Sequence, residues 1–211
     1  DFDLAAVAET LDGAFVAFLA GHAQRLGTTI IAGMFEQTEA LPLNTLVAVG
    51  PDGLLRVTYR KIHLYDSFGY RESDRLTPGP LELTTFEVAG MTLGLMTCYD
   101  LRFPELFKSY ARAGADVVIV PASWQDGPGK VDQWRLLARA RALDSTCYVI
   151  AAGQAEPAAS GLACRPRRPA QPTVGARRDH GQQVGQRLPG RRAGRQRDVV
   201  AGERGFGGHD L

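Results

Sequence analysis

The stretch that decides the fold runs Gly94-Leu95-Met96-Thr97-Cys98-Tyr99-Asp100-Leu101-Arg102-Phe103-Pro104-Glu105. An apolar segment that begins at Met91 ends at a thiol, a polar turn follows, and Pro104 is typical of the first residue of a helix. Cys98 is therefore predicted at the carboxyl end of a strand and just before a helix, where α/β proteins place their reactive groups. Amides at a helix start also favour the thiolate, which is the reactive form of cysteine.

Apolar periodicity and turn residues divide the chain up to about residue 157 into alternating helices and strands. Helices are predicted over 12–26, 104–113 and 131–143, and strands over 28–34, 44–49, 54–60, 82–88, 91–97, 117–120 and 146–152. The turns Pro51-Asp52-Gly53 and Ala89-Gly90 each separate two strands and predict two antiparallel hairpins. This layout predicts a mixed α/β domain.

The composition is that of an ordinary globular protein, with 22% charged and 45% hydrophobic residues and a net charge of +1. No apolar run approaches the ~18 residues of a membrane span, so no membrane association is predicted. Cys98, Cys147 and Cys164 are too few to suggest a disulfide framework, and a cytoplasmic location is predicted. No His/Cys cluster has the spacing of metal ligands, so neither a metal nor a cofactor is expected.

Two further motifs accompany the Cys98 stretch in a fixed order. The first runs from Tyr59 to Asp66 around Lys61, and the second is Tyr70-Arg71-Glu72-Ser73. Later segments that fit the same pattern are Ala122-Ser123-Trp124, Gln133-Trp134, Leu137-Ala138-Arg139-Ala140-Arg141-Ala142-Leu143 and Tyr148-Val149-Ile150-Ala151-Ala152-Gly153-Gln154. Together they resemble the nitrilase or carbon–nitrogen hydrolase superfamily, its amidase branch most closely, over about residues 1–157.

This resemblance implies an α-β-β-α sandwich and a cysteine nucleophile that is supported by a lysine. By motif, Cys98 matches the nucleophile, Lys61 the lysine and Glu72 a second glutamate of the site. The ammonium of Lys61 and the backbone amide of Tyr99 are expected to stabilise the oxyanion of a tetrahedral intermediate. Trp124 follows a predicted strand, and lining the substrate pocket and packing in the core are equal alternatives for it.

The resemblance also implies a glutamate base in an apolar-Pro-Glu motif upstream of the nucleophile. No such motif precedes the apolar-periodic segment 11–26. The base-bearing strand is therefore expected to be missing, so that the hydrolase domain is truncated at its amino terminus. Glu36 is the nearest upstream carboxylate, but it follows a different strand and is not assigned as the base.

Residues 158–211 are expected to form a separate Arg/Gly-rich tail. From 164 onward there are eleven arginines, four acidic residues, no lysine and one aromatic residue, Phe206. A reading-frame shift near 158–164, an inert linker and a nucleic-acid-binding segment all remain open. The absence of lysine and the scarcity of aromatic residues favour the frame shift, and make nucleic-acid binding the least favoured of the three. The fold is expected to be incomplete at this end as well.

Four other polar residues near the motifs are assigned structural roles. His63 lies two residues past Lys61, and a hydrogen-bonded structural role is favoured over a catalytic one because the mechanism does not need it. Asp100, Arg102 and Glu105 are expected to form ion pairs that brace the turn at the nucleophile.

The function expected from the resemblance is hydrolysis of carbon–nitrogen bonds other than peptide bonds through a thioester at Cys98. Small linear amides, such as ω-amides or compounds like deaminated glutathione, are favoured over nitriles and N-carbamoyl compounds. The intact family member is expected to form a homo-oligomer. The alternative is a catalytically incomplete remnant that binds a ligand or partner without turnover.

Overall fold

The computed structural model describes residues 3–67, 69–125 and 127–153, and the backbone of Thr173–Val174. It contains three α-helices, namely α1 (Ala14–Leu26), α2 (Pro104–Arg112) and α3 (Lys130–Ser145). The strands are β1 (Ile30–Glu36), β2 (Leu43–Val49), β3 (Leu55–Arg60), β4 (Asp66–Ser67), β5 (Tyr70–Arg71), β6 (Thr85–Val88), β7 (Met91–Leu95), β8 (Val117–Ala122), β9 (Tyr148–Gly153) and β10 (Thr173–Val174). The rest of the predicted tail lies outside the described residues.

The first sheet is antiparallel, with the order β1-β2-β3. Val47 at its centre lies opposite Ala32 of β1 and Thr58 of β3. The β2–β3 connection runs through Pro51-Asp52-Gly53, and Gly53 has φ 78°. The predicted hairpin is therefore confirmed, and its glycine occupies a backbone region that other residues rarely adopt.

The second sheet has the order β10-β9-β8-β7-β6 and combines both strand directions. β6 and β7 form the predicted hairpin, in which Ala89 and Gly90 both have positive φ. β7, β8 and β9 are parallel to one another, and β10 adds an antiparallel edge. The carboxyl ends of the three parallel strands therefore meet at one edge of the sheet, and Cys98 follows β7 at that edge.

Three apolar clusters show that the layers are stacked as α-β-β-α. Helix α1 buries Val16, Leu19 and Ala23 against Val47 and Val49 on the outer face of the first sheet. The two sheets meet through Leu46, Ala48, Tyr59 and Leu95. Helices α2 and α3 cover the other face of the second sheet, in a cluster that includes Phe107, Tyr110, Ala138, Val118 and Val149. This arrangement confirms the sandwich that the resemblance implied.

A close contact fixes β7 beneath helix α2. A Cβ atom at Gly94 would lie 2.5 Å from Cδ1 of Tyr110, whose side chain is fully buried. The Tyr110 hydroxyl donates to the carbonyl of Leu95, at 2.5 Å. The glycine therefore allows an aromatic ring to lie directly on the strand that leads to Cys98.

Several predicted boundaries differ from the structure by two or three residues. The strand predicted over 91–97 ends at Leu95, because the chain turns before Cys98. The strand predicted over 82–88 begins only at Thr85, and the one predicted over 28–34 continues to Glu36. In the described part of the chain, no helix is long and apolar enough to cross a membrane.

Candidate active site

Cys98 begins a 3₁₀ turn, Cys98–Arg102, that directly follows β7 and leads into α2. Its φ of 46° places a non-glycine residue in the left-handed region, which costs roughly 1–3 kcal/mol and is frequent at functional sites. The residue is half-buried and packs against the core cluster beneath α2 and α3. The thiol is therefore presented at the sheet edge from a sharply bent backbone.

Asp100, two residues later, binds groups from both sheets. Its Oδ2 accepts hydrogen bonds from the Tyr59 hydroxyl at 2.7 Å and the Thr97 amide at 2.9 Å. Its Oδ1 accepts from the His63 amide at 3.1 Å and lies 2.7 Å from His63 Nδ1. Burial, and then the charge of Asp100, raise the pKa of Tyr59 well above its usual value, so this phenol stays a donor.

Lys61 lies between the two residues that bind Asp100. Tyr59 and Lys61 are two positions apart in extended chain and therefore point to the same face. Because Tyr59 reaches the turn after Cys98, we expect the side chain of Lys61 to face that side as well. The lysine is 3% exposed.

Glu72 is the ion-pair partner of Lys61. Its Oε2 lies 2.5 Å from Lys61 Nζ and 2.6 Å from the Tyr65 amide nitrogen, which donates to it. The Glu72 amide in turn donates to the Tyr65 carbonyl at 3.1 Å. The structure thus brings the predicted lysine and second glutamate together in a buried pair that holds the ammonium in a fixed position.

Tyr65 connects this pair to the nucleophile turn. Its ring packs edge-on against Tyr99, with the centroids 5.0 Å apart, and its hydroxyl donates to Gln125 Oε1 at 3.2 Å. Burial raises the pKa of Tyr65, Arg102 opposes this rise, and the negative forms of Tyr99 and Cys98 add to it. Tyr65 therefore contacts both Glu72, the partner of Lys61, and Tyr99, the residue after Cys98, and sequence analysis had not assigned a role to it.

Trp124 and Arg102 form the side of the site that faces α3. The indole packs at 4.9 Å from the ring of Trp134 and donates to the Lys130 carbonyl at 3.2 Å. The guanidinium of Arg102 lies over the rings of Tyr99 and Trp124, at 5.8 and 5.3 Å from their centroids. Trp124 is half-buried against the core, and its contact with substrate stays a prediction.

Of the expected ion pairs around the turn, the one of Asp100 is present. Asp100 does brace it, through His63 and three other hydrogen bonds. In the part of the chain that the structure describes, the guanidinium of Arg102 forms no ion pair and contacts two aromatic rings and Gln133 Oε1. No ion pair of Glu105 occurs within the described residues.

Arg141 of α3 is a brace that sequence analysis missed. It is buried, its Nε donates to the Leu101 carbonyl at 2.9 Å, and its Nη1 pairs with Asp144 at 3.0 Å. The signal was present in the sequence, since residues 134, 138, 141 and 145 form one helical stripe that the structure buries. The arginine therefore anchors the end of the nucleophile turn to the neighbouring helix.

Two further residues fit the roles assigned from the sequence. The His63 ring binds Asp100 and stacks on Phe103, with the centroids 3.5 Å apart, as expected of a structural histidine. Glu36 is bound by Arg60 at 2.8 and 2.6 Å and by the Thr45 hydroxyl at 2.7 Å. These contacts occupy its carboxylate, which agrees with leaving Glu36 out of the catalytic assignment.

No group of three or more His, Cys, Asp or Glu side chains in the described ranges is arranged to hold a metal ion.

Residues 3–180 match the sequence model of the carbon–nitrogen hydrolase family. The chain belongs to the carbon–nitrogen hydrolase family. The match covers most of the chain and includes Lys61, Glu72 and Cys98 with the sheets that carry them.

Named relatives resemble this chain over about 70% of its length. A hydrolase of Mycobacterium tuberculosis is 50% identical over 154 residues, which is 72% of this chain and 55% of that protein. A deaminated glutathione amidase of Escherichia coli O157:H7 is 43% identical over 148 residues, 70% of this chain and 56% of the relative. The chain thus spans about half the length of the curated relatives it matches.

A solved family structure has the same fold. The amidase from Nesterenkonia sp. AN1, a protein of the nitrilase superfamily, is 26% identical with a TM-score of 0.61, over 68% of this chain and 53% of that one. One variant of that amidase shows covalent addition of the acetamide moiety of fluoroacetamide at its active site cysteine.

Proposed function

We propose that Cys98 is the nucleophile of an amidase that hydrolyses small linear amides through a thioester. The observation that carries the proposal is that Tyr59 and His63, on either side of Lys61, both bind Asp100 in the turn that begins at Cys98. We infer that this arrangement directs the buried ammonium of Lys61 toward the thiol. Such a neighbour stabilises a thiolate and, later, the oxyanion of the tetrahedral intermediate.

The proposed reaction has two steps, acylation of Cys98 and hydrolysis of the resulting thioester. The Cys98 thiol gives its proton to the general base and adds to the amide carbonyl as the thiolate. The carbon–nitrogen bond then breaks, and the base returns the proton to the nitrogen, which leaves as ammonia. Water then adds to the thioester, the carboxylic acid leaves, and the thiol is restored. Lys61 and the Tyr99 amide stabilise the oxyanion in both steps.

Glu72 holds Lys61 in place rather than moving protons in this account. Its Oε2 already binds the Lys61 ammonium and the Tyr65 amide. The proton carrier is the glutamate base that the family resemblance implies, and no described residue is assigned to that role.

The proposed substrate class rests on similarity to known relatives and not on the geometry of the site. Similarity to a deaminated glutathione amidase supports ω-amides and compounds like deaminated glutathione over nitriles and N-carbamoyl compounds. We also propose a cytoplasmic location, because three cysteines are too few to suggest a disulfide framework. The homo-oligomer stays a prediction from the resemblance.

The test measures ammonia release from a short ω-amide of a dicarboxylic acid, an uncharged amide of equal length, a nitrile and an N-carbamoyl compound. In a protein that includes the glutamate base, we expect turnover of the ω-amide, its loss in Cys98→Ala and its retention in the matched variant Cys147→Ala, since Cys147 lies in the core. Full turnover by Cys98→Ala would refute the mechanism. An acyl adduct on Cys98 by mass spectrometry without ammonia turnover would favour the incomplete remnant.

A further inference from the structure

The carboxylate of Asp100 joins the segment that carries Lys61 to the turn that carries Cys98. Asp100 has no exposed surface, and four hydrogen bonds converge on its two oxygens. Three come from Tyr59 and His63, which flank the lysine, and one comes from the amide of Thr97. The segment that carries Lys61 therefore cannot shift relative to the turn that carries Cys98 without straining these hydrogen bonds.

The same carboxylate closes the turn around the thiol. Thr97 precedes Cys98 and Asp100 follows it by two residues, and the Thr97 amide donates to Asp100 Oδ2 at 2.9 Å. In the opposite direction the Asp100 amide donates to the Thr97 carbonyl at 3.0 Å. A cysteine at φ 46° persists only when its surroundings fix the backbone, and these two bonds enclose it.

We propose that Asp100 is the positioning residue of this site and sets the reactivity of the Cys98 thiol by fixing the Lys61 segment against the nucleophile turn. The proposal rests on the proposed function, because it takes Cys98 as the nucleophile and Lys61 as its cationic neighbour. Asp100 acts through Tyr59, His63 and Thr97 and is not assigned a contact with the substrate.

The expected effect follows from the distance dependence of the attraction between an ammonium and a thiolate. With an effective dielectric constant of about 20, moving two unit charges from about 4 Å to about 5 Å apart changes the thiolate-to-thiol ratio roughly fourfold. A loosened turn also lets the backbone at Cys98 leave its strained conformation, which removes the thiol from the ammonium altogether. Loss of the hydrogen bonds that Asp100 accepts should therefore reduce the reactivity of the Cys98 thiol by about tenfold or more.

The test is the rate of Cys98 alkylation by iodoacetamide between about pH 5 and pH 10, followed by peptide mass spectrometry on the full chain. Asp100→Asn keeps the shape but places an amide nitrogen where one oxygen accepted two hydrogen bonds. We expect the apparent pKa of Cys98 to rise toward the ordinary thiol value of about 8.5, and alkylation near pH 7 to slow at least about tenfold. A folded Asp100→Asn variant with the wild-type pH profile would overturn the proposal.

Milder variants keep the test decisive if Asp100→Asn does not fold. Tyr59→Phe and His63→Phe each remove a side-chain donor to Asp100 and keep an aromatic ring. Both should shift the pH profile in the same direction by a smaller amount, and unchanged profiles in both would also overturn the proposal. Tyr110→Phe is the matched control, because its buried hydroxyl binds Leu95 and not Asp100. It should lose stability and keep the wild-type profile.

The measurement separates this proposal from the function on which it rests. If Cys98 in the folded wild-type chain reacts no faster than in the chain unfolded in urea, the proposed function fails and the proposal fails with it. If Cys98 is alkylated rapidly in the folded wild type and equally rapidly in Asp100→Asn, only the positioning role of Asp100 fails.

Discussion

The ammonium of Lys61 and the carboxylate of Glu72 form an ion pair, with Nζ and Oε2 2.5 Å apart and side-chain exposures of only 3% and 10%. The pair joins the end of the β3 segment to a 3₁₀ turn, Glu72–Asp74, which also contacts Tyr65 and Asp66. A buried charge that loses its partner is costly, so this pair couples the stability of the protein to the chemistry of the site.

Replacing Lys61 by methionine should lower both the stability of the protein and the reactivity of Cys98. Lys61→Met leaves Glu72 buried without its counter-ion, and we expect the free energy of unfolding to fall by about 3–5 kcal/mol. Alkylation of Cys98 at neutral pH should slow more than about tenfold because the nearby positive charge is gone. Chemical denaturation and thiol labelling measure the two effects.

The double variant Lys61→Met/Glu72→Gln is the control for that experiment. It removes both charges, so it should regain most of the lost stability while the alkylation of Cys98 remains slow. Recovery of fast labelling in the double variant would contradict the role of Lys61 as the cationic neighbour of the thiol.

Backbone strain at Cys98 should affect the free energy of unfolding. At φ 46° a glycine is relaxed and an alanine is not, so Cys98→Gly should be more stable than Cys98→Ala by about 1 kcal/mol. Thermal or urea unfolding of the two variants provides the comparison. Ala113→Gly, at φ −70°, is the matched control and should lower stability. A Cys98→Gly variant that is the less stable of the two would show that the turn is not strained.

Glu36 should make stability depend on pH in the acid range. Burial raises its pKa, but hydrogen bonds from Arg60 and Thr45 and the charge of Arg60 outweigh burial and hold the pKa below 4.5. A depressed carboxyl pKa stabilises the fold above the unfolded value, and this contribution is lost as the pH falls through the folded value. Glu36→Gln should therefore be less stable than the wild type at neutral pH, with a difference that shrinks below about pH 4.5. An equal difference at about pH 3 and pH 7, measured by urea unfolding, would contradict this assignment.

The close approach of Gly94 and Tyr110 predicts a steric effect. Gly94→Ala adds a methyl group 2.5 Å from a ring that is fixed by its own hydrogen bond, so unfolding free energy should fall by about 1–3 kcal/mol. Gly21→Ala in α1 meets nothing within 4 Å and should instead raise it by up to about 1 kcal/mol. Equal stability of Gly94→Ala and the wild type, by the same unfolding assay, would show that the ring can move.

The layers of this fold could be predicted because local signals and family motifs agree. Pro51-Asp52-Gly53 and Ala89-Gly90 place their hairpins correctly, since the turn residues themselves determine the turn geometry. Strand ends were less accurate. The strand before Cys98 is shorter than its apolar run because the chain turns there, although Met96 stays buried and its amide still donates to the Ile119 carbonyl at 3.0 Å.

The contacts that hold the site together were harder to predict. Asp100 binds Tyr59 and His63, which lie 41 and 37 residues away along the chain, and the spacing of motifs does not encode which side chains meet. The role of Tyr65 was missed for the same reason, since its amide binds Glu72 and its ring contacts Tyr99 only after folding. Arg141 differs, because its place on the buried stripe of α3 could have been found by helical periodicity.

The measurement that tests the central claim most directly is the alkylation rate of Cys98 at neutral pH in the folded chain and in the chain unfolded in urea, resolved by peptide mass spectrometry. An activated nucleophile should react faster in the folded chain, whereas Cys147, which is 7% exposed, should react more slowly there and serve as an internal control. Slower reaction of Cys98 in the folded chain than in the unfolded one would contradict its assignment as the nucleophile.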